Sequence, residues 1–388
     1  MRSKKNEVSE DILIVDDTAN NLRLLSQMLA EHGYSVRAVT SGERALASVQ
    51  VTPPSLILLD IKMPEMDGYE VCERLKADSQ TRDIPIIFIS ALDDVQDKVN
   101  AFTVGGVDYI TKPFQLEEVL ARVETHLALR KLQLQLQDAN RKFEQELTLA
   151  GSLQASFFPC EPLEIAGWQM AVSLNPARET SGDFYDILSL PDGNVGFLVA
   201  DVVDKGVAAA LYMALSWSLL RTFASEFPSD PKQVLAAVNR RIISDTDASR
   251  FVTVFYGVLD PSSGKLTYAN AGHNPPLHLH STESRRVTKL TKTGMPLGIL
   301  EDRTWEANTA QLEPGDVLVL YTDGVTEAQN PRGAFFGEER VLKSLKANSK
   351  RTADEIQHAL IKDILSYIGD APQLDDIALI VLVRDPAH

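Results

Sequence analysis

The feature that most constrains this chain is a long segment without helix breakers, from residue 115 to about 157. The segment contains no proline, and Gly151 is its only glycine. A series of its positions alternates in steps of three and four residues, and all but Glu146 are apolar or alanine: Leu129, Leu132, Leu136, Ala139, Phe143, Glu146, Ala150, Leu153 and Phe157. We expect one helix of about 40 residues and about 60 Å. It is either an amphipathic helix packed on its own domain or a dimeric signalling helix, and the length of the pattern favours the dimer.

The segment before this helix predicts a parallel sheet. Between residue 11 and about 124, five short apolar runs alternate with amphipathic stretches: DILIVDD, SVRAV, SLILLD, IPIIFIS and DYITKPF. Near-continuous apolar strands separated by helices are typical of a parallel sheet that is covered on both faces. We therefore expect an α/β domain with a doubly wound, five-stranded sheet over residues 1–124, followed by a helical coiled-coil linker over residues 125–157.

The segment after the helix predicts a different architecture. From about residue 160 strands dominate, and the helical stretches come in groups between runs of strands. Such grouping indicates a sandwich with sheets inside and helices outside. We expect an α/β/β/α sandwich over residues 158–388.

Charge and composition disfavour several classes of function. A length of 388 residues suits two or three domains. The net charge of −16 disfavours nucleic acid and anionic membranes as partners, because an acidic surface repels phosphate. No apolar run approaches the roughly 18 residues of a membrane span, and the N-terminus MRSKKNEVSEDILIVDD lacks a signal-peptide core. Cys72 and Cys160 form neither a disulfide framework nor a zinc spacing, so we expect a cytoplasmic protein.

Functional side chains stand where the strands of the first half end. These are Asp16, Asp17, Asp60, Ser90 and Lys112, and the carboxyl ends of parallel strands are where functional groups collect. Three neighbouring carboxylates repel one another, and a hard divalent ion such as Mg²⁺ relieves that repulsion. The ion and Lys112 would neutralise a phosphoryl group transferred to a carboxylate, and Ser90 would donate to a phosphate oxygen.

Acids also stand at strand ends in the second half. They are Asp183, Asp201, Asp323 and the adjacent pair Asp375–Asp376, and no histidine or cysteine accompanies them. An all-carboxylate site favours Mn²⁺ or Mg²⁺ over zinc. Four carboxylates suffice for two such ions about 3.5–4 Å apart, the arrangement of two-metal hydrolases, which suits the hydrolysis of a phosphate monoester.

The first half resembles the receiver domain of response regulators over residues 10 to 125. The resemblance rests on four motifs: VDD (15–17), LLDIKMPEMDG (58–68), ISA (89–91) and YITKPF (109–114). It implies that Asp60 is the phosphoacceptor and that Asp16 and Asp17 join it as Mg²⁺ ligands, with a backbone carbonyl from Ile61.

The same resemblance assigns the switch residues of the receiver domain. Ser90 and Tyr109 occupy its hydroxyl and aromatic switch positions, and Lys112 occupies the position of its amine. It further implies a cis peptide bond before Pro113, and a cognate histidine kinase as the source of the phosphoryl group.

The second half resembles the type 2C, metal-dependent protein phosphatases, and within them the SpoIIE-like serine phosphatases. The resemblance spans residues 150 to 385 and rests on an ordered set of motifs: LQASFFP, SGDFYD, ADVVDKGVAAALYMA, ANAGHNPP, LYTDGVTEAQN and DDIALIVL. It implies Asp183, Asp201, Asp323 and Asp375 as metal ligands, with a backbone carbonyl from Val202. Asp376 is the less favoured member of its pair and is assigned a possible outer role.

Two positions depart from the family pattern. Ser181 stands where a second glycine is common, and Asp204 stands where glycine is common. Asp204 either lies in an outer shell of the metal site through water or pairs with Lys205 without a catalytic part, and the second reading is slightly favoured.

Together the two halves predict a response regulator whose output is a phosphoserine/phosphothreonine protein phosphatase controlled by Asp60. The phosphatase would hold two Mn²⁺ or Mg²⁺ ions, and the receiver domain one Mg²⁺. The resemblance implies an anti-sigma-factor antagonist of the STAS type as substrate, in a partner-switching pathway, and the linker predicts a homodimer. The alternative is a phosphorylation-gated adaptor that binds a regulator without catalysis.

Overall fold

The structure is a computed structural model that describes residues 10–91, 95–158, 163–246, 250–281 and 285–386, without the side chains of residues 95–98. Cys160 and the last residue of LQASFFP, Pro159, lie outside the described residues. The chain forms two compact units, Met1–Lys142 and Phe143–His388. Their boundary falls inside one helix, so the division into 1–124, 125–157 and 158–388 stays a prediction.

The first unit contains a five-stranded parallel sheet in the order β2-β1-β3-β4-β5. The strands are β1 Asp11–Val15, β2 Ser35–Val39, β3 Leu56–Asp60, β4 Ile86–Ser90 and β5 Asp108–Thr111. The helices between them are α1 Ala19–Glu31, α2 Gly42–Val51, α3 Gly68–Ala77 and α4 Val95–Thr103. A separate apolar cluster covers each face of the sheet, which confirms the doubly wound architecture.

One uninterrupted helix, α5, covers Leu116–Ala155 and confirms the predicted long helix. Its first turns bury Val119, Val123 and Leu127 in the core of the first unit. Beyond these turns the predicted seam is open to solvent in the single chain. Five seam residues are between 53% and 63% exposed: Leu129, Leu132, Leu136, Phe143 and Leu153.

The second unit contains two five-stranded antiparallel sheets. The first sheet has the order β13-β10-β9-β8-β7 and the second sheet has the order β12-β11-β14-β15-β6. The strands are β6 Trp168–Asn175, β7 Phe184–Ser189, β8 Val195–Val202, β9 Val252–Asp260, β10 Lys265–Ala271, β11 Leu277–Leu279, β12 Val287–Lys289, β13 Asn308–Gln311, β14 Val317–Tyr321 and β15 Ile377–Arg384. The helices are α6 Val207–Glu226, α7 Pro231–Asp245, α8 Asp323–Thr326, α9 Gly337–Asn348 and α10 Ala353–Ile368.

Three apolar layers hold this unit together. Side chains of both sheets meet in a central cluster that includes Phe197, Phe255, Leu318 and Ile380. A second cluster joins the outer face of the first sheet to α6 and α7, and a third joins the second sheet to α9 and α10. Alternate side chains along each strand point to the central cluster or to the outer cluster on the helix side, which confirms the α/β/β/α sandwich.

The most apolar helix of the sandwich is α6. It is the one helix in the described part of the chain that is long and apolar enough to cross a membrane, so the expectation that no apolar run approaches a span was too strict. Its buried residues include Ala209, Met213 and Leu220, which pack in the core beside the first sheet. About 33% of this segment is buried, so packing in the core accounts for part of its apolar composition.

Candidate functional sites

The predicted phosphoacceptor site assembles at the carboxyl ends of β1, β3 and β5. Asp16 and Asp60 are buried, and Asp17 is exposed beside them. Oxygens of these three acids lie within 4.8 Å of one another. The Lys112 ammonium lies 2.9 Å from Asp16 Oδ2 and 2.9 Å from Asp60 Oδ2. The structure therefore brings the predicted acids and the amine into one cluster.

Local hydrogen bonds fix the orientation of Asp16. The Thr18 N–H donates to its Oδ1 (2.8 Å), and the Asn21 amide donates to both of its oxygens (3.0 and 2.9 Å). The sequence analysis missed Asn21, although its position in the first turn of α1 is a signal for such a contact. A side chain at Gly68 would overlap the Asp60 carbonyl, so glycine is needed where α3 begins.

The electrostatics of this cluster favour a bound cation. Burial raises the pKa of Asp60; hydrogen bonding and charge from Lys112 oppose that rise, while Asp16 and Asp17 add to it. Burial alone would lower the pKa of Lys112, but its contacts with Asp60 and Asp16 raise it. One ammonium contacts two of the three acids, Asp16 and Asp60, and oxygen ligands of this kind suit Mg²⁺.

The remaining receiver residues lie beside the cluster. Ser90 is buried at the end of β4, and the Lys112–Pro113 peptide bond is cis, as expected. The Tyr109 ring packs edge-on against Phe102 with centroids 6.2 Å apart. The Ile61 carbonyl accepts the Gly68 N–H (2.9 Å), and its role as a metal ligand stays a prediction.

In the sandwich, strand pairing brings the first two predicted ligands face to face. Phe184 of β7 pairs with Ala200 of β8 in antiparallel register, which places Asp183 opposite Asp201. Asp323 follows β14 and Asp375 precedes β15, and these two strands are neighbours in the second sheet. A side chain at Gly324 would overlap the Asp376 carbonyl. Glycine at this position lets the two loops of the second sheet approach closely.

These acids repel one another strongly. Burial, and next the charge of Asp201, raises the pKa of Asp183 well above its usual range. Burial, together with the charges of Asp323 and Asp375, raises the pKa of Asp201 to about 7. Burial and Asp375 also raise the pKa of Asp323. The pKa of Asp201 therefore depends on acids from both sheets, so the candidate metal site lies where the two sheets meet.

The donor set fits divalent cations. Asp183 Oδ2 is buried and has no hydrogen-bond partner among the described residues, which is costly unless a ligand meets it. All the candidate donors are oxygens, as Mn²⁺ and Mg²⁺ prefer. Within the described residues, no three of these acids have oxygens that all lie within 4.8 Å of one another. The Lys205 ammonium lies 2.9 Å from Asp375 Oδ2 and balances part of the negative charge.

The adjacent acids Asp375 and Asp376 have different surroundings. Asp376 Oδ2 accepts the Ser181 hydroxyl (2.7 Å) and the Gly182 N–H (2.9 Å), and its Oδ1 accepts the Ala177 N–H (2.7 Å). Asp376 thus holds the loop that carries Asp183. This contact also gives Ser181, which the sequence presents as a minor departure from the family pattern, a specific structural role.

The Asp204 side chain contacts Arg250 and the Lys205 backbone. Asp204 is exposed, has a positive φ of 91°, and lies 3.3 Å from Arg250 Nη2. The expectation that it pairs with Lys205 is correct only for the Lys205 backbone N–H (2.9 Å), because the Lys205 ammonium bonds to Asp375 instead. A Cβ at Gly182 would lie 3.2 Å from the Val202 carbonyl oxygen, whose role as a ligand stays a prediction.

A third group of possible ligands was missed by the sequence analysis. His278, His280 and Asp316 have ligand atoms within 4.8 Å of one another. His278 Nε2 lies 2.7 Å from Asp316 Oδ2, and the Asp316 carboxylate also accepts the N–H groups of Ser281 and Glu313. These contacts account for the buried carboxylate as part of a structural hydrogen-bond network.

Comparisons with known proteins agree with both halves of the chain. The model of the family Stage II sporulation protein E (SpoIIE) matches residues 191–385, and that of the response regulator receiver domain matches residues 12–124. The chain belongs to the SpoIIE family and carries a receiver domain in its first half. It is a response regulator with a protein phosphatase as its output domain.

Individual relatives support this assignment. Protein IcfG of Synechocystis sp. is 34% identical over 267 residues, which cover 62% of this chain and 42% of IcfG. The phosphoserine phosphatase RsbU of Bacillus subtilis is 31% identical over 265 residues, which cover 67% of this chain and 74% of RsbU. The SiaA-PP2C domain of Pseudomonas aeruginosa superposes with a TM-score of 0.58 at 22% identity, over 64% of this chain and 99% of that domain. The last comparison shows a shared fold.

Proposed function

We propose that this protein is a metal-dependent phosphoserine/phosphothreonine protein phosphatase that phosphorylation of Asp60 controls. One observation carries the proposal: the paired ends of β7 and β8 place the buried carboxylate of Asp183 opposite the half-buried carboxylate of Asp201. Such an arrangement is unfavourable unless cations bind it. The likeness to RsbU, which is named a phosphoserine phosphatase, supports the choice of substrate class.

The chain's own residues have distinct parts in this proposal. Asp183, Asp201, Asp323 and Asp375 hold two Mn²⁺ or Mg²⁺ ions, with the Val202 carbonyl as a further donor. When bound, such ions activate water and neutralise the charge of a phosphate ester. Asp376 keeps the Asp183 loop in place through its three hydrogen bonds, and Asp204 stays outside the site.

The receiver domain supplies the control. Asp60 accepts a phosphoryl group from a histidine kinase, while Asp16, Asp17 and the Ile61 carbonyl hold Mg²⁺. Lys112, which already contacts Asp60 at 2.9 Å, pairs with the new phosphoryl charge. Ser90 and Tyr109 respond to that charge and act as the switch.

The partners follow from the same assignment. The substrate is a small phosphoserine protein, an anti-sigma-factor antagonist of the STAS type in a partner-switching pathway. The exposed seam of α5 pairs with a second copy of the chain and forms a homodimer. The chain acts in the cytoplasm, and its net charge of −16 fits a protein that binds neither nucleic acid nor membrane.

The test is hydrolysis of a phosphoserine STAS-type protein by the purified full chain with Mn²⁺, with and without beryllofluoride as a phosphoryl mimic. We expect Mn²⁺-dependent release of phosphate, a rate that changes with beryllofluoride, and loss of hydrolysis in Asp201→Asn. Binding of the substrate without any hydrolysis would replace this proposal with the adaptor function.

A further inference from the structure

The motif LQASFFP contacts the loop that carries Asp183. Gln154, in the last turn of α5, is only 7% exposed. Its Nε2 donates to the Ser181 carbonyl (2.7 Å), and its Oε1 accepts the Ser181 N–H (2.9 Å). One side chain thus satisfies both backbone groups of a residue that lies two positions before Asp183.

Gly151 lets the helix approach this loop. A Cβ at Gly151 would overlap the carbonyl oxygen of Glu179, so any other residue would push α5 away. Gly151 and Gln154 are three residues apart and therefore lie on the same face of the helix. Glycine is a poor helix former, and the close approach explains its presence in a segment that otherwise avoids it.

Ser181 connects α5 to the acids Asp183 and Asp376 by hydrogen bonds. Its hydroxyl donates to Asp376 Oδ2 (2.7 Å) and accepts the Asp183 N–H (3.0 Å). Ser181 is buried, as are both acids. A continuous set of hydrogen bonds therefore runs from the Gln154 amide to the backbone of Asp183.

Two aromatic stacks hold the chain just after α5. The Phe157 ring stacks on Trp217 of α6, with centroids 5.1 Å apart and planes at 15°. The Phe158 ring stacks on Tyr185 of β7, with centroids 5.3 Å apart. The end of α5 is thus attached to the strand and the helix that flank Asp183 and Asp201.

We propose that Gln154 is a positioning residue for the metal site, and that the register of α5 sets the position of Asp183 through it. This inference rests on the proposed function, because it assigns a mechanism of control to the same site. Both hydrogen bonds end on a single residue, so a rotation or shift of α5 breaks them together. The loop then keeps its bonds to Asp376 but loses its support from the helix.

The test compares Gln154→Met, which keeps the length of the side chain but removes both hydrogen bonds, with Gln145→Met. Gln145 is exposed on α5, and nine residues of helix place it on the opposite face. In full-length protein, calorimetric titration with Mn²⁺ measures binding without turnover. Phosphoserine hydrolysis at varied Mn²⁺ and varied substrate separates kcat from KM.

We expect Gln154→Met to weaken Mn²⁺ binding and lower kcat by about 10- to 100-fold, with KM and the melting temperature nearly unchanged. The rate of Gln154→Met should no longer respond to beryllofluoride, while Gln145→Met should match the wild type in every measurement. Gly151→Ala displaces the helix but keeps Gln154, so it should also weaken Mn²⁺ binding and lower kcat. This variant replaces Gln154→Met in the test if Gln154→Met does not fold.

Wild-type Mn²⁺ binding and kcat in folded Gln154→Met, or in Gly151→Ala, would overturn the inference. If the wild type hydrolyses no phosphoserine protein but Gln154→Met still weakens Mn²⁺ binding, the proposed function fails while the positioning role stands. The binding and activity measurements therefore separate the two failures.

Discussion

Asp375 and Asp376 show how neighbouring acids acquire different roles. Asp375 is partly exposed and contacts the Lys205 ammonium, whereas Asp376 is buried and accepts three hydrogen bonds. The difference follows from β15, which begins at Ile377. Alternation along an extended chain turns one carboxylate toward the site and the next toward the loop that supports it.

Asp376→Ala should destabilise the second unit by about 3 kcal/mol, because three donors lose their acceptor and two of them, on Ser181 and Gly182, are buried. Asp375→Ala should change stability by less than about 1 kcal/mol, since it removes an exposed ion pair. All three tryptophans, Trp168, Trp217 and Trp305, lie in the second unit, so denaturation followed by their fluorescence measures this unit. Equal losses in the two variants would contradict the assignment.

Asp186 predicts a pH dependence of stability. It is buried on β7 with Arg221 Nε 3.1 Å from its Oδ2, and burial raises its pKa to about 6 although Arg221 opposes the rise. The folded state therefore binds the proton more tightly than the unfolded state. The contribution of Asp186 to the free energy of unfolding should fall as the pH rises from about 4 to about 6 and stay level above that.

Asp186→Asn should remove this contribution to the pH dependence of stability. The variant should gain about 1–3 kcal/mol over the wild type at pH 8 and nothing at pH 4, because the amide stays neutral at both. The same fluorescence-detected denaturation, repeated from pH 4 to 8, gives the difference. A constant offset across this range would show that Asp186 does not titrate as described.

At the scale of elements, sequence patterns predicted the five strands of the first unit, the long helix and the layers, but not the short strands β11, β12 and β13 or the contacts that order the elements. The sequence identifies β3 and β4 as buried strands because all of their residues are apolar except the last one, Asp60 in β3 and Ser90 in β4. The bond between Ser181 and Asp376 joins residues 195 positions apart, and the contact between Lys205 and Asp375 joins opposite loops. Such pairs depend on strand order, which no local pattern specifies.

The exposed seam of α5 predicts that substitutions in it affect dimerisation. Leu136→Glu, in the seam, should weaken the proposed homodimer by about 100-fold or more, because each copy would place a charge where that dimer would bury leucine. Leu134→Glu is the matched control, since Leu134 is similarly exposed at 53% but lies off the seam. Sedimentation of both variants over a range of concentrations measures the effect. Dimers of equal strength would rule out pairing through this face.

At the scale of the whole molecule, a complete receiver domain and a phosphatase domain share one helix. The helix begins in the unit that contains Asp60 and ends beside Ser181 in the unit that contains Asp183. We therefore predict that the proposed control by Asp60 acts through this helix.

Asp60→Asn should abolish the effect of beryllofluoride on phosphoserine hydrolysis, because the mimic needs the Asp60 carboxylate. Asp78→Asn, at the C-cap of α3 in the same unit, should retain the full effect. The ratio of rates with and without beryllofluoride, measured with Mn²⁺ in excess, is the readout. A response that survives in Asp60→Asn would place the control elsewhere.

The length of α5 has a consequence for the angle at which its end meets the sandwich. On a straight α-helix, residues that repeat every 3.5 positions do not stay on one line; their direction around the helix axis changes by about 20° per heptad. From Leu132 to Leu153 the seam covers 21 residues, so the accumulated difference is about 60°. Helices that stay in contact along this whole distance must twist, and Gln154, the next residue, turns with them. In the proposed dimer, the pairing of two chains would thus set the angle around the helix axis at which the Gln154 side chain meets Ser181.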